Sequence, residues 1–218
     1  MSSTSPPRPP AVGDERQSAR KNRAILEAAT TVFLRNGYLG TSMDEVAALA
    51  GVSKQTIYKH FADKERLFCE IVIGTVDEAS DPVSDEVLQL NDSGDVEADL
   101  RELARRELAL VIQPRMLQLR RLVIGEAARF PELGRTFYER GPGRTVAALA
   151  TAFERLAERG MLQLEDPLLA AAHFNWLVVS IPLNEAMLCG HDEPPAPVDL
   201  DRYADAGVRV FLAAYGRR

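Results

Sequence analysis

The sequence predicts an all-α protein with a small N-terminal three-helix head, which contains a helix-turn-helix, and a larger C-terminal helical bundle. Apolar residues recur at spacings of three and four along most of the chain, and a glycine turn joins two short helical patterns within residues 41–68. No β-type alternation is present. A chain of 218 residues that is 46% hydrophobic is large enough for a core. We divide it into an arm (1–17), a head (18–66) and a body (67–218).

The arm is predicted to be flexible, because it is rich in proline and small polar residues and lacks an apolar run. Its prolines are Pro6, Pro7, Pro9 and Pro10. The arm also lacks the apolar core of a secretory signal, and no stretch of the chain approaches the roughly 20 apolar residues of a membrane span. We therefore expect a cytoplasmic protein that has no membrane partner.

The first helix of the helix-turn-helix has one apolar face, formed by residues at i, i+3, i+4 and i+7: Met43, Val46, Ala47 and Ala50. Thr41 or Ser42 can cap its start, because a side-chain oxygen there accepts a bond from a free backbone N–H. Gly51 supplies the left-handed conformation that ends the helix. Ser53 then caps the second helix, so the turn is encoded locally.

The second helix turns Ile57 and Phe61 inward and leaves a polar, basic outer face. A helix with such a face fits the major groove of DNA, where Gln and Thr read base edges and Lys and Tyr hold phosphate. The outer residues are Lys54, Gln55, Thr56, Tyr58, Lys59 and His60. The alternative is an ordinary solvated helix face, since these residue types are common on surfaces.

Residues 20–68 resemble the DNA-binding domain of the tetracycline-repressor (TetR) family of bacterial transcription regulators. The resemblance rests on the Asn36-Gly37-Tyr38 turn and on the segments 41–43, 50–53, 56–61 and 63–68. It implies a homodimer with a DNA-binding head and a body that binds a small effector. By position, it assigns DNA contacts to Ser42, Ser53, Lys54, Gln55, Thr56, Tyr58, Lys59 and His60, with Lys64 near phosphate.

Charge is distributed unevenly along the chain. Residues 1–68 carry ten Lys and Arg against seven Asp and Glu, whereas the whole chain has a net charge of −6. A positive head favours contact with phosphate, and an acidic remainder limits nonspecific adsorption to DNA. The alternative is chance fluctuation, because an excess of three charges is small.

The body is predicted to contain helices at about 63–79, 95–112, 115–129, 142–159, 166–189 and 199–215, with turn residues between 81 and 94. Residues 121–134 and 137–139 resemble the effector-domain signature of the AefR-like branch of the same family. Phe130-Pro131 there ends one helix and starts a short second one. Phe130 itself is more simply interpreted as part of a packed corner than as a ligand contact.

The helix at 166–189 has two candidate roles, on opposite faces. A mixed aromatic and polar face predicts an effector pocket, which Pro182 would widen by kinking the helix. The pocket candidates, including residues of other helices, are Met116, Arg120, Tyr138, Phe153, His173, Trp176 and Ser180. An apolar seam with the last helix predicts a dimer interface instead, formed by Leu177, Val178, Ile181, Leu188, Val208, Phe211, Leu212 and Tyr215.

No cofactor, metal site or catalytic motif is predicted. His60, His173 and His191 lack a Cys or His partner at metal-binding spacing. Together with the helix-turn-helix, the resemblance implies a ligand-responsive regulator, and in particular a repressor, that binds a palindromic double-stranded DNA operator as a homodimer. Two alternatives remain open: a constitutive DNA-binding protein without an effector, and a helical enzyme, for which His173 and Glu185 are too sparse a basis.

Overall fold

The computed structural model describes residues 12–88, 94–189 and 197–217, and these residues form ten α-helices. In chain order the helices are α1 (Val12–Gly40), α2 (Met43–Ala50), α3 (Lys54–Phe61), α4 (Lys64–Leu88), α5 (Val96–Val111), α6 (Pro114–Glu126), α7 (Pro131–Arg140), α8 (Pro142–Glu158), α9 (Pro167–Leu188) and α10 (Pro197–Tyr215). The all-α prediction is confirmed. The chain divides into two compact units between Ile71 and Val72, a few residues beyond the predicted end of the head.

The first unit packs α1, α2, α3 and the start of α4 around a small core. Its fully buried side chains include Ile25, Ala29, Phe33, Val46, Ile57, Leu67 and Phe68. The ring of Phe68 lies 5.2 Å from that of Phe33 and 5.1 Å from that of Tyr38, centroid to centroid. Gly37, at φ 70°, interrupts the end of α1 and brings Tyr38 into this aromatic group. The predicted Asn36-Gly37-Tyr38 turn is therefore confirmed.

The second unit has its main core between α5, α8, α9 and α10. Three phenylalanines meet at its centre, with Phe153 of α8 lying 5.6 Å from Phe174 of α9 and 4.9 Å from Phe211 of α10. Arg105 of α5 donates two hydrogen bonds to Asp205 of α10, at 3.0 and 2.8 Å. The four helices therefore form one packed bundle.

Several helices of the second unit begin where the sequence places a capping residue or a proline. Asp95 and Asp166 accept hydrogen bonds from the backbone N–H groups of Ala98 and Leu169, both at 3.0 Å. Proline occupies the first turn of α6, α7, α8 and α9. A backbone N–H in that turn has no acceptor within the helix, so the lack of one in proline breaks no hydrogen bond. The predicted break at Phe130-Pro131 is confirmed.

Two predicted boundaries are wrong. Helix α1 begins at Val12, so residues 12–17 of the predicted arm are helical, because the prolines end at Pro10 and helix-forming residues follow. Residues 1–11 of the arm lie outside the described residues. Helix α4 continues past Asp81-Pro82 to Leu88, where a turn was predicted. Val87 is completely buried in the core of the second unit, and this packing stabilises a helix that contains a proline.

Candidate DNA-binding face and ligand cavity

The turn between α2 and α3 is held by three local features. The Ser42 hydroxyl accepts a hydrogen bond from the Asp44 N–H at 3.2 Å, and the Ser53 hydroxyl accepts one from the Thr56 N–H at 3.1 Å. Gly51 lies in the left-handed region at φ 64°, and the Val52 N–H bonds to the Ala47 carbonyl at 3.1 Å. Of the two predicted caps for α2, the structure selects Ser42.

Helix α3 separates an inner apolar face from an outer polar face. Ile57 is completely buried and Phe61 is 4% exposed. Of the predicted contacts, Ser42, Ser53, Lys54, Gln55, Tyr58 and Lys59 are exposed, whereas Thr56 and His60 are half-buried. Gln55, Tyr58 and Lys59 lie at i, i+3 and i+4 and therefore share one surface. Since Ile57 and Phe61 hold the opposite face, this surface is free to enter a groove.

Ion pairs connect the helices of the first unit around this face. The Lys54 ammonium lies 2.9 Å from the Asp44 carboxylate, and the hydrogen bond to Asp44 raises the pKa of Lys54. Arg35 of α1 pairs with Glu45 of α2, and Asn36 donates a hydrogen bond to Glu45 at 2.8 Å. The Asp44 carboxylate therefore competes with phosphate for Lys54, which leaves Lys59 as the better placed cation on α3.

Lys64 is engaged by groups of its own unit. Its ammonium donates a hydrogen bond to the Thr41 carbonyl at 2.6 Å and lies 4.8 Å from the centre of the Tyr38 ring. It also lies 3.4 Å from the Leu39 carbonyl. These contacts give Lys64 a structural role, and its predicted position near phosphate stays a prediction. Lys64 attaches the start of α4 to the loop between α1 and α2.

The second unit contains a cavity of about 60 Å³. Helices α4 to α9 all contribute to its wall, which is mostly apolar. The lining residues are Val76, Ser80, Glu107, Leu110, Val111, Met116, Arg120, Phe137, Gly141, Pro142, Thr145, Asn175, Trp176, Val179 and Leu183. Of the predicted ligand contacts, the structure brings Met116, Arg120 and Trp176 together here.

The lining residues that the sequence analysis missed include Glu107 and Asn175. Glu107 is 6% exposed and Asn175 is 2% exposed. Burial raises the pKa of the Glu107 carboxyl to about 8. A signal for Glu107 was present, because it lies on the apolar stripe of α5 that contains Leu100, Leu103 and Leu108, and a charged residue in such a stripe is unusual.

Two predicted ligand contacts do not line the cavity. Phe153 is completely buried in the aromatic centre of the bundle, and it does not line the cavity. Tyr138 is 55% exposed and is also absent from the cavity wall. The spacing of aromatic residues along a helix does not indicate which of them face a cavity, a core or solvent. This ambiguity explains why Phe153 and Tyr138 were predicted to line the pocket.

An open groove runs along α9 and α10 on the surface of the second unit. Its lining residues are Ala172, His173, Trp176, Leu177, Ser180, Ile181, Val210, Phe211, Ala214 and Tyr215. His173 and Ser180, predicted as ligand contacts, lie here and not in the cavity. His173 Nδ1 lies 2.6 Å from the Tyr215 hydroxyl, so this pair links the two helices. Trp176 lines both the groove and the cavity.

The predicted dimer residues fall into three groups. Val178, Val208 and Phe211 are completely buried in the core of their own chain, so we remove them from the predicted interface. Leu212 and Tyr215 are half-buried against that core. Leu177, Ile181 and Leu188 are 41, 54 and 81% exposed. Helix α9 has no single apolar face, so periodicity did not separate its inner residues from its outer ones.

Within residues 12–88, 94–189 and 197–217, His, Cys, Asp and Glu form no group with the arrangement of a metal site. His191, considered above as a metal ligand, lies outside these ranges. No helix in the described part of the chain is both long and apolar enough to cross a bilayer.

Two family models match the chain. Residues 25–71 match the one described as bacterial regulatory proteins of the tetR family. Residues 98–217 match the C-terminal domain of AefR-like transcriptional repressors. The first match covers the helix-turn-helix, and the second covers most of the second unit.

Solved structures and a curated protein agree with these matches. A TetR-family regulator from Mesorhizobium loti MAFF303099 is 45% identical over 92% of this chain and 99% of its own, with a TM-score of 0.87. The flavonoid-responsive regulator FrrA is 32% identical over 92% of this chain and 99% of its own, with a TM-score of 0.73. The transcriptional regulator YhgD of Bacillus subtilis is 54% identical over 54 residues, 25% of this chain. The aligned part spans about a quarter of the length of the curated relatives, 28% for YhgD.

Proposed function

This chain belongs to the TetR family of bacterial transcription regulators, which are not enzymes, and we propose that it is a homodimeric repressor released from a palindromic operator by a small molecule. The observation that carries the DNA-binding part is the outer face of α3. It presents Gln55, Tyr58 and Lys59 to solvent while Ile57 and Phe61 anchor the helix from behind. An anchored helix with a polar face is suited to reading base edges in the major groove.

The outer face of α3 with Gln55, Tyr58 and Lys59 is the proposed reading face. Some of its side chains would recognise the base sequence, and others would position the protein on the DNA. Gln55 can form a bidentate pair with adenine, so we assign it to base recognition. Tyr58 and Lys59 bind phosphate and fix the register of the helix on the duplex. Ser42 keeps a hydroxyl proton available for phosphate while its oxygen caps α2. The Ser53 hydroxyl caps α3 and also lies 2.8 Å from the Thr56 hydroxyl.

Dimerisation is supported by apolar residues that one chain leaves uncovered. Leu168, Leu169, Leu177, Ile181 and Leu188 of α9 and Val210 of α10 are all exposed. A second copy that packs α9 and α10 against their counterparts would bury these side chains across a two-fold axis. Two heads related by such an axis require two inverted half-sites, at least about 34 Å apart.

Effector control is supported by the cavity and by the residues it shares with other surfaces. Val76 and Ser80 place α4 in the cavity wall, and α4 begins at Lys64, beside the helix-turn-helix. Trp176 faces both the cavity and the groove of the proposed dimer. A ligand that displaces α4 or Trp176 would favour an arrangement of heads that no longer matches both half-sites. The similarity to a flavonoid-responsive regulator supports the existence of an effector.

The test is selection of binding sites from a randomised duplex pool at physiological salt, followed by addition of candidate effectors. Enrichment of an inverted repeat and its release by a ligand are the expected results. Enrichment of an inverted repeat that no ligand releases would favour the alternative, a constitutive DNA-binding protein. Failure to enrich any sequence by protein that has been unfolded, freed of bound compounds and refolded would contradict the proposal.

A further inference from the structure

The polar groups of the cavity differ in what they offer a ligand. Glu107 comes from α5, Arg120 from α6 and Asn175 from α9, while most of the remaining wall is apolar or aromatic. These three side chains are therefore the sites at which a bound molecule would be oriented.

Glu107 has no hydrogen-bond partner among the described residues. Glu107 is only 6% exposed, and its Oε2 atom has no hydrogen bond within the described part of the chain. A buried polar atom without a partner costs free energy. Because burial raises the pKa of this carboxyl to about 8, it holds a proton at neutral pH and acts as a hydrogen-bond donor. A ligand atom that accepts this hydrogen bond would recover part of the lost free energy.

Arg120 is a second donor in the same wall. Its guanidinium lies 5.5 Å from the centre of the Phe137 ring, and it forms no ion pair with a described residue. Burial lowers the pKa of Arg120, but an arginine remains charged at neutral pH. With Glu107 protonated, Arg120 supplies the net charge of the cavity wall, which is positive.

We propose that this cavity, in the effector role proposed above, takes an aromatic compound whose oxygen atoms accept hydrogen bonds from Glu107 and Arg120, and that it disfavours cationic amines. The aromatic part would pack against Trp176 and Phe137. A carbonyl, carboxylate or phenolic oxygen satisfies both donors without ionising either group. An ammonium would have to bind beside a guanidinium and remove the proton of Glu107.

The proposal predicts that affinity depends on pH. Loss of the Glu107 proton would turn a donor into an acceptor and place a negative charge beside the ligand oxygen. The lining residues from α4, α7, α8 and α9 contribute no charged group, and the charged groups that face the cavity are Glu107 from α5 and Arg120 from α6. Glu107 is therefore the group that we expect to control binding between pH 6.5 and pH 9.

The probes are three one-ring compounds of similar size, chosen because the cavity is small: acetophenone, benzoate and benzylamine. Their dissociation constants with the full-length protein would be measured by ligand-observed NMR at pH 6.5 and pH 9. The expected result is binding of acetophenone and benzoate about tenfold tighter than benzylamine at pH 6.5, the equivalent of one good hydrogen bond. Raising the pH to 9 should weaken acetophenone binding.

Three variants assign the effect to its atoms. Glu107→Gln keeps an N–H donor without ionising, so it should retain acetophenone binding and remove its pH dependence, whereas Glu107→Leu should lose about tenfold in affinity. Arg120→Met should weaken benzoate more than acetophenone. Circular dichroism and thermal unfolding would verify that each variant is folded.

Tighter binding of benzylamine, abolished by Glu107→Gln, would overturn the proposal, and so would the absence of binding of all three probes. Operator binding without ligand, measured on the same samples, separates the two levels of inference. Retained operator binding with failed ligand predictions would overturn the cavity chemistry alone. Loss of sequence-specific operator binding by the wild-type protein would overturn the proposed function.

Discussion

At the scale of single residues, three side chains point most directly to function, because the exposure or position of each is unusual for its residue type. Tyr58 is 41% exposed although it is large and aromatic. Glu107 is an acid buried among apolar residues, and Trp176, the single tryptophan of the chain, is shared by a cavity and a surface groove. Such departures from the usual burial of residue types point to function more directly than the core does.

Tyr58 and Lys59 provide a test of the reading face. Tyr58→Phe removes one hydroxyl, so operator affinity should fall about fivefold, the equivalent of about 1 kcal/mol. Lys59→Ala should weaken binding to all sequences and reduce the salt slope of log affinity by about one. Fluorescence anisotropy with a labelled operator at several salt concentrations measures both effects. Arg155→Ala, which removes an exposed cation from α8, is the control, and an equal effect there would contradict our placement of the reading helix.

Glu107 also affects stability. The unfolded carboxyl ionises near pH 4.5, whereas burial raises the folded pKa to about 8. Between these values the folded state binds a proton that the unfolded state lacks, so this group makes stability fall as pH rises. Glu107→Leu should therefore stabilise the protein by about 3 kcal/mol at pH 7, with a smaller gain at pH 5. Urea unfolding at both pH values measures the difference.

The control for that comparison is Glu154→Leu, because Glu154 is exposed on α8. It should change stability little, and equally at both pH values. A gain from Glu107→Leu that did not depend on pH would mean that the carboxylate is already charged in the folded protein.

At the scale of helices and loops, some helix ends are determined by neighbouring residues and others by tertiary contacts. Ser42, Gly51 and Ser53 define the ends of α2 and α3 through neighbouring backbone groups, so these ends were predictable. The continuation of α4 past Pro82 depends on the burial of Val87 against distant helices, which no local pattern encodes. The same distinction explains why the structural contact of Lys64 was not predicted, since its partner Thr41 is 23 residues away.

Lys64 provides a test of its structural role. Lys64→Met keeps the apolar stem but removes the hydrogen bond to the Thr41 carbonyl, so it should destabilise the first unit by about 1 kcal/mol. The salt slope of operator binding should stay unchanged. Lys59→Met is the matched variant and should behave in the opposite way, reducing the slope while sparing stability. Urea unfolding and salt-dependent anisotropy distinguish the two variants. A reduced salt slope for Lys64→Met would show that Lys64 binds phosphate.

At the scale of the whole molecule, the proposed function requires two copies and a connection between effector and operator. One chain offers one reading helix, and its exposed residues on α9 and α10 have no cover within the described chain. Because Trp176 contributes to both the cavity and the groove, ligand binding and the proposed dimer contact share a side chain. In the proposed dimer, this arrangement would let a bound molecule change the geometry of the interface.

The proposed dimer can be broken by one charge. Ile181→Asp places a carboxylate on the exposed apolar side of α9 and should convert the protein to a monomer, because burying an unpaired charge is unfavourable. Light scattering coupled to size exclusion measures the mass, and anisotropy should show operator affinity falling by at least about 100-fold as the second half-site is lost. Ile124→Asp introduces the same charge at a residue of α6 that is 61% exposed and should remain dimeric. A dimeric Ile181→Asp protein would place the interface elsewhere.

By itself, the sequence determined the all-α class, the helix-turn-helix with its caps, and the family, because these depend on residue spacing and on contacts between near neighbours. The tertiary structure decided which apolar residues of α9 and α10 are core, with Val178 and Phe211 buried and Leu177 and Ile181 exposed. It also placed Glu107 and Arg120 in one cavity and Phe153 outside it. Because α9 has no single apolar face, its sequence does not indicate which side packs against the core. Only packing against distant segments assigns its faces.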